Sequence, residues 1–171
     1  MEIRKTLIVG PNVKDTWYNL IKTHLPEYED ESRLLFEEPL LTFSLLAEMD
    51  AQILNGGVMQ FLDNGSGAYF HETIDALNRI GYTEVASVLE KIKSHFPNQT
   101  VPKDMEERRD IIDMLNETYP TLSLKHFRKM LLGIKEWNLS WTEIDAQYYD
   151  NRTRFYQLAI DYLKANATLI D

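Results

Sequence analysis

Apolar residues recur at the helical period along most of this chain. Val13, Trp17, Leu20, Ile21 and Leu25 share one face of a 3.6-residue repeat, and Pro26 closes that element. Pro39 suits the first turn of a second helix. Its apolar positions are Leu40, Leu41, Phe43, Leu45, Leu46, Met49, Ile53 and Leu54, and Gly56-Gly57 supplies a stop. A short helix, Val58–Asp63, follows. Another starts at Ser66 or Gly67, carries Tyr69, Phe70, Ile74, Leu77 and Ile80, and ends at Gly81. Thr83 reads as the N-cap of a helix over Glu84–His95. Three more helices are predicted over 103–118, 121–137 and 142–165. Residues 2–9 form a short strand or an extended arm, and no useful strand alternation follows residue 10. The pattern predicts an all-α fold: one compact multi-helix domain over 1–171, about 7–8 helices, with 1–11 as an extended N-terminal arm.

Composition narrows the function classes. The chain has 171 residues, no cysteine and a net charge of −9. Without thiols there is no disulfide scaffold, no thiolate metal site and no cysteine nucleophile, which fits a reducing compartment. No apolar run approaches a membrane span or a secretory leader, so the expected location is the cytoplasm. Net negative charge disfavours direct contact with nucleic acid or an anionic membrane and suits a basic protein partner. The charge is uneven. Between Pro26 and Pro39, Glu27, Glu29, Asp30, Glu31, Glu37 and Glu38 face only Arg33, a net −5. This stretch is a candidate acidic partner surface. Acids in 104–117 are interrupted by Arg108 and Arg109.

The stretch ILNGGVMQFLDNGSG, residues 53–67, concentrates the glycines. It lacks the lysine and spacing of a phosphate loop, and no strand precedes it. His24, His71, His95 and His126 are scattered without a metal-binding spacing, so no metal and no cofactor are expected. Glu48, Asp50 and Asp63 flank the glycines, and Ser66 with His71 could form a nucleophile–base pair in a cleft over 48–71. Against that, Ser66 is a natural N-cap, Glu48 and Asp50 suit a water-facing position, and Asn55, Gln60 and Asn64 are amides suited to satisfying helix ends. In the C-terminal third, Ile144, Tyr148, Phe155, Leu158 and Tyr162 form a buried stripe. Tyr149 and Tyr156 fall beside it as a second aromatic edge of the kind found at partner or dimer surfaces.

Taken as a whole, Glu48, Asn55-Gly56-Gly57, Gln60, Phe61, Asn64, Gly67, Ala76-Leu77 and Ile80-Gly81 resemble the pattern of a bacterial domain-of-unknown-function family that includes an acidic, dimeric DNA-mimic protein. The likeness covers about 40–160, and the closing segment from Glu143 is similar to the family's last helix. Val58 and Asp63 depart from the aromatic or apolar residues usual there. The resemblance implies a mainly helical fold and carries over no established enzymatic activity.

The resulting expectation is a non-enzymatic protein–protein interaction domain with a protein partner, one version being a DNA mimic that occupies a basic DNA-binding protein. Two alternatives remain open: an enzyme or small-ligand binder using the 48–71 cleft, and a structural homodimer joined through the aromatic C-terminal helix.

Overall fold

The computed structural model describes residues 2–4, 12–25, 36–116, 123–134 and 140–170. Among them seven α-helices surround one core: α1 (Val13–His24), α2 (Leu40–Asp63), α3 (Phe70–Arg79), α4 (Thr83–Lys93), α5 (Met105–Asn116), α6 (Leu124–Leu131) and α7 (Trp141–Asn166). Short 3₁₀ turns at Gly65–Tyr69 and Pro97–Gln99 lead into α3 and follow α4. The all-α class and the single compact domain follow the sequence pattern.

The first half of α2 is the central helix. Phe43, Leu45, Leu46, Met49 and Ile53 are buried on nearly all its sides, as a helix enclosed by others requires. It packs against α3, α5 and α7, while α1 lies on α7. Trp17 of α1 fixes that contact. Its ring stacks on Tyr156 at 5.1 Å and meets Phe43 and Phe155 edge-on at 5.1 and 5.3 Å.

Several local expectations change. The 2–9 segment contributes a strand, β1 (Glu2–Arg4), which pairs in parallel with β2 (Thr168–Ile170); this second strand was not expected, because three residues are too few to show alternation. Ile3 is fully buried, so the strand is anchored in the core through this one side chain rather than being a free arm, while Glu2 and Arg4 are exposed. Residues 5–11 lie outside the described residues. The position before α4 is Tyr82 rather than Thr83, and no side chain caps it. Within the stretch expected as a helix over 121–137, α6 spans Leu124–Leu131 and ends where Gly133 N–H bonds Met130 O and Ile134 N–H bonds Lys129 O; residues 121–122 and 135–137 lie outside the described residues. Trp137 lies outside the described residues.

Candidate functional site

The glycine corner is a deliberate break in α2. Gly57 has φ 76° and ψ −176°, a region that only glycine occupies without strain. Beyond it the helix restarts, and its first N–H groups need an acceptor. Asn55, expected to supply one, makes no side-chain hydrogen bond among the described residues and is exposed. The acceptor comes from α7 instead: Asp145 Oδ1 takes Val58 N–H at 2.8 Å. A Cβ on Gly57 would stand 2.3 Å from Asp145 Oδ2, so the glycine is needed for space as well as for φ. Asp145 is a carboxylate at a helix start, where the helix dipole favours it.

The amides form a ladder. Gln60 and Asn64 both donate to Gln52 Oε1, at 3.4 and 2.6 Å, and Gln52 donates to Glu48 Oε1 at 2.7 Å. Residues 48, 52, 60 and 64 thus run along one side of α2 across its break. Gln52 was not singled out from the sequence, although its i+4 spacing from Glu48 is the signal that finds it.

The second half of the corner is held by Arg108. The sequence presents it as a cation diluting the α5 acids. It is instead fully buried. Its guanidinium donates to the carbonyls of Leu62 and Asn64 at the end of α2, and to Pro102 and Lys103 at 2.7 and 3.0 Å before α5. Of these, Leu62 O is one of the last carbonyls of α2, which lack an intrahelical donor, and a cation is favoured at that end. Burial lowers its pKa, with the nearby Asp63 opposing. Gly67 gives it room, because a Cβ there would lie 2.5 Å from Arg108 Nε.

The rival catalytic set does not assemble. Glu48 belongs to the ladder. Asp63 pairs bidentately with Arg109 at 2.8 and 3.1 Å. Ser66 is buried and donates to Phe61 O, so it is neither a nucleophile nor an N-cap. His71 Nε2 accepts Val101 N–H at 3.2 Å. Phe61 lies in the core on Phe70, and Gly81 ends α3.

Asp50 overturns its expected water-facing position. It is 1% exposed and receives four donors: Trp17 Nε1 at 3.1 Å, Tyr148 OH at 2.6 Å, Arg152 Nε at 3.0 Å and Tyr156 OH at 3.1 Å. Burial, reinforced by Asp50, raises the Tyr148 pKa well above the usual phenol range, and burial likewise raises that of Tyr156. Burial also disfavours the Arg152 cation, but its bond to Asp50 outweighs this and the guanidinium stays charged. Arg152 spans to Tyr18 OH at 2.7 Å and lies over the Tyr156 ring at 5.0 Å. Tyr148, Arg152 and Tyr156 are four residues apart on one α7 face, a spacing that shows them as partners of one group. Tyr156 is therefore core, which removes half of the expected aromatic edge, whereas Tyr149 donates to Ile53 O at 2.7 Å and stays 44% exposed. Beside Asp50 a cleft of about 330 Å³ opens between α1 and α2, walled by Ile21, Leu25, Ala47, Ala51 and Leu54.

The acid surface is redistributed. Glu27, Glu29, Asp30 and Glu31 lie outside the described residues. Glu38 is tied to Arg79 at 2.7 Å and to Tyr162 OH at 2.9 Å, while Glu37 is exposed. On α5, Glu106, Asp110 and Asp113 line one exposed stripe with Glu107 beside it. Among the described residues no group of three or more histidines and acids could hold a metal ion, and no helix is long and apolar enough to cross a membrane.

The protein-family model described as DMP19-like protein matches residues 35–166. The chain belongs to this family. The DMP19-like segment ends with the last residue of α7 and takes in the glycine corner, Arg108, Asp145 and three of the four donors to Asp50. Among the described residues, β1 and α1, with Trp17 and Tyr18, precede it. No curated protein and no solved structure matches the chain.

Proposed function

We propose that this member of the DMP19-like family is a non-enzymatic interaction protein whose acidic surface occupies the DNA-binding face of a basic protein. The observation that supports it is that neither α5 arginine stands free among the acids: Arg108 is buried against the end of α2, and Arg109, though exposed, is paired with Asp63. Glu106, Glu107, Asp110 and Asp113 remain outward, with Arg128 the cation paired to Asp110. The 106, 110 and 113 positions rise along the helix in steps of about 6 and 4.5 Å. Both steps are longer than the roughly 3.4 Å axial spacing of phosphates on one DNA strand, so the stripe resembles that strand in the sign and linear order of its charges rather than in their spacing. The polar groups of the corner and of the Asp50 centre bond mainly to one another and to the backbone, which supports a non-enzymatic reading.

The test is capture of basic DNA-binding proteins from the native cell by the wild-type chain and by Glu106→Lys/Glu107→Lys/Asp113→Lys. The expected result is a stoichiometric partner that duplex DNA displaces, that rising salt weakens, and that the triple variant loses. Capture that is indifferent to salt and DNA overturns the reading.

A second reading, a small-ligand site in the α1–α2 cleft, is supported by its volume and apolar walls. It predicts that Ala51→Trp abolishes ligand-induced thermal stabilisation in a metabolite screen. A screen with no stabilising compound removes it.

A further inference from the structure

Two asparagines of this chain precede a glycine, Asn55-Gly56 and Asn64-Gly65, and both lie in the glycine corner. An asparagine so placed can react with its own backbone. The nitrogen of the following residue attacks the side-chain Cγ, and a glycine there has no side chain to obstruct the approach. The attack needs two freedoms. The side-chain amide must turn toward the backbone, and the peptide that carries the nitrogen must rotate. The structure treats the two asparagines differently.

Asn64 is held at both places. Its Nδ2 donates to Gln52 Oε1 at 2.6 Å, inside the amide ladder. Its carbonyl, which shares a peptide plane with Gly65 N, accepts Gly67 N–H at 3.0 Å and the buried Arg108 guanidinium. Turning that peptide breaks both bonds in a half-buried setting, which raises the cost of the reactive conformer.

Asn55 lacks these restraints. Its side chain is exposed and bonds to nothing among the described residues, and Gly56 beside it is exposed too. Its peptide sits where the first half of α2 ends. Gly56 leaves the helical region at φ −168° and ψ 28°, and Ile53 O, two residues before Asn55, takes the Tyr149 hydroxyl at 2.7 Å. A helix end opens more readily than a helix interior.

We propose that Asn55 is a site of spontaneous deamidation in the folded protein and that Asn64 is protected. Gly56 N bonds to Asn55 Cγ, the Cγ–Nδ2 bond breaks, and the proton given up by Gly56 N leaves with Nδ2 as ammonia. The product is a cyclic succinimide. Water then opens the ring at either carbonyl. One opening gives aspartate, and the other gives isoaspartate, in which the chain runs through the former side-chain carbonyl. The balance is an amide and a water converted to a carboxylate and ammonium. The new negative charge falls on the wall of the cleft between α1 and α2, a wall that Asn55 shares with Glu48 and Asp50. The reaction is independent of the acidic face of α5 and of its role.

The test is incubation of the full chain at neutral pH, folded and, in parallel, unfolded in guanidinium chloride. Samples are digested, the two Asn-Gly peptides are followed by mass spectrometry, and isoaspartate is scored with an isoaspartate methyltransferase. In the folded chain Asn55 is expected to convert at least about tenfold faster than Asn64, with isoaspartate among its products, whereas in denaturant the two rates fall within about threefold of each other. Ion exchange is expected to resolve a growing acidic species that Asn55→Gln does not form. The proposal is overturned if Asn64 keeps pace with Asn55 in the folded chain, or if the preference for Asn55 persists undiminished in denaturant. It is also overturned if folded Asn55 stays intact while the unfolded chain is consumed, if aspartate forms without isoaspartate, or if Asn55→Gln acidifies as the wild type does.

Discussion

The glycine corner and helix α6 are opposite ways of using the same materials. At the corner most chemically distinctive groups meet another: Asp145 meets Val58, Arg108 meets five carbonyls, and Gln52 joins Glu48 to Gln60 and Asn64. On α6 the leucines meet solvent. The corner holds nearly all the residues that resemble a family pattern, and its chemistry is directed inward. The less conspicuous helix directs its chemistry outward. A recognisable motif can therefore mark what the fold cannot change, while the exposed apolar surface lies elsewhere.

The comparison can be broken most severely at the carboxylate that anchors the core beside the corner. Asp50→Ala leaves the half-buried Arg152 without its counter-ion and removes the acceptor of three further donors, and is expected to cost about 3–5 kcal/mol in chemical denaturation. A loss below about 1 kcal/mol would show that the network is incidental. Alkaline pH tests the same buried side. Tyr82 is pushed up to about 12, first by burial and then by Glu84. Its unfolded form sheds the proton near pH 10 while the folded form keeps it, so its contribution is full below pH 10 and is lost as pH rises toward 12. Tyr82→Phe is expected to flatten that decline in melting temperature.

Gly57→Ala combines a glycine-only backbone with displacement of Asp145, and is expected to cost about 1–3 kcal/mol. Asp145→Ala should cost about 1 kcal/mol, as a lost cap does. Asn55→Ala should change stability by less than about 0.5 kcal/mol. If those last two exchanged places, the cap would be local after all. At the far end, Leu124→Asp/Leu131→Asp should leave unfolding within about 0.5 kcal/mol of the wild type. A large loss would mean that α6 belongs to the core.

Much of the fold was legible because helices are local. The apolar spacing that marks α1, α2 and α7 is contained within each, and so are the breaks at Gly56-Gly57 and Gly81. The parts misread all depend on distance along the chain. Asn55 looked like the cap because it adjoins the break, but the oxygen that caps Val58 is 87 residues away. Arg108 looked like a surface cation because its neighbours are charged, and its acceptors lie mainly beyond its own helix. Asp50 was legible in part: it is four after Leu46 and three before Ile53, which places a carboxylate on an apolar face. The i, i+4 run of Tyr148, Arg152 and Tyr156 was the matching half of that signal. The inverted orientation of α6 had no signal at all, because periodicity shows that a helix has an apolar face and not which way the face turns.

The parallel pairing of β1 with β2 has a mechanical consequence. The chain enters at the start of one strand and leaves at the end of its neighbour, and the two run the same way. Tension that draws the two ends apart along the strands therefore slides one past the other and loads their hydrogen bonds together, in shear. An antiparallel pair of ends would open like a zipper, one bond at a time. This small ribbon, the least regular part of a helical protein, is thus placed to resist being pulled open.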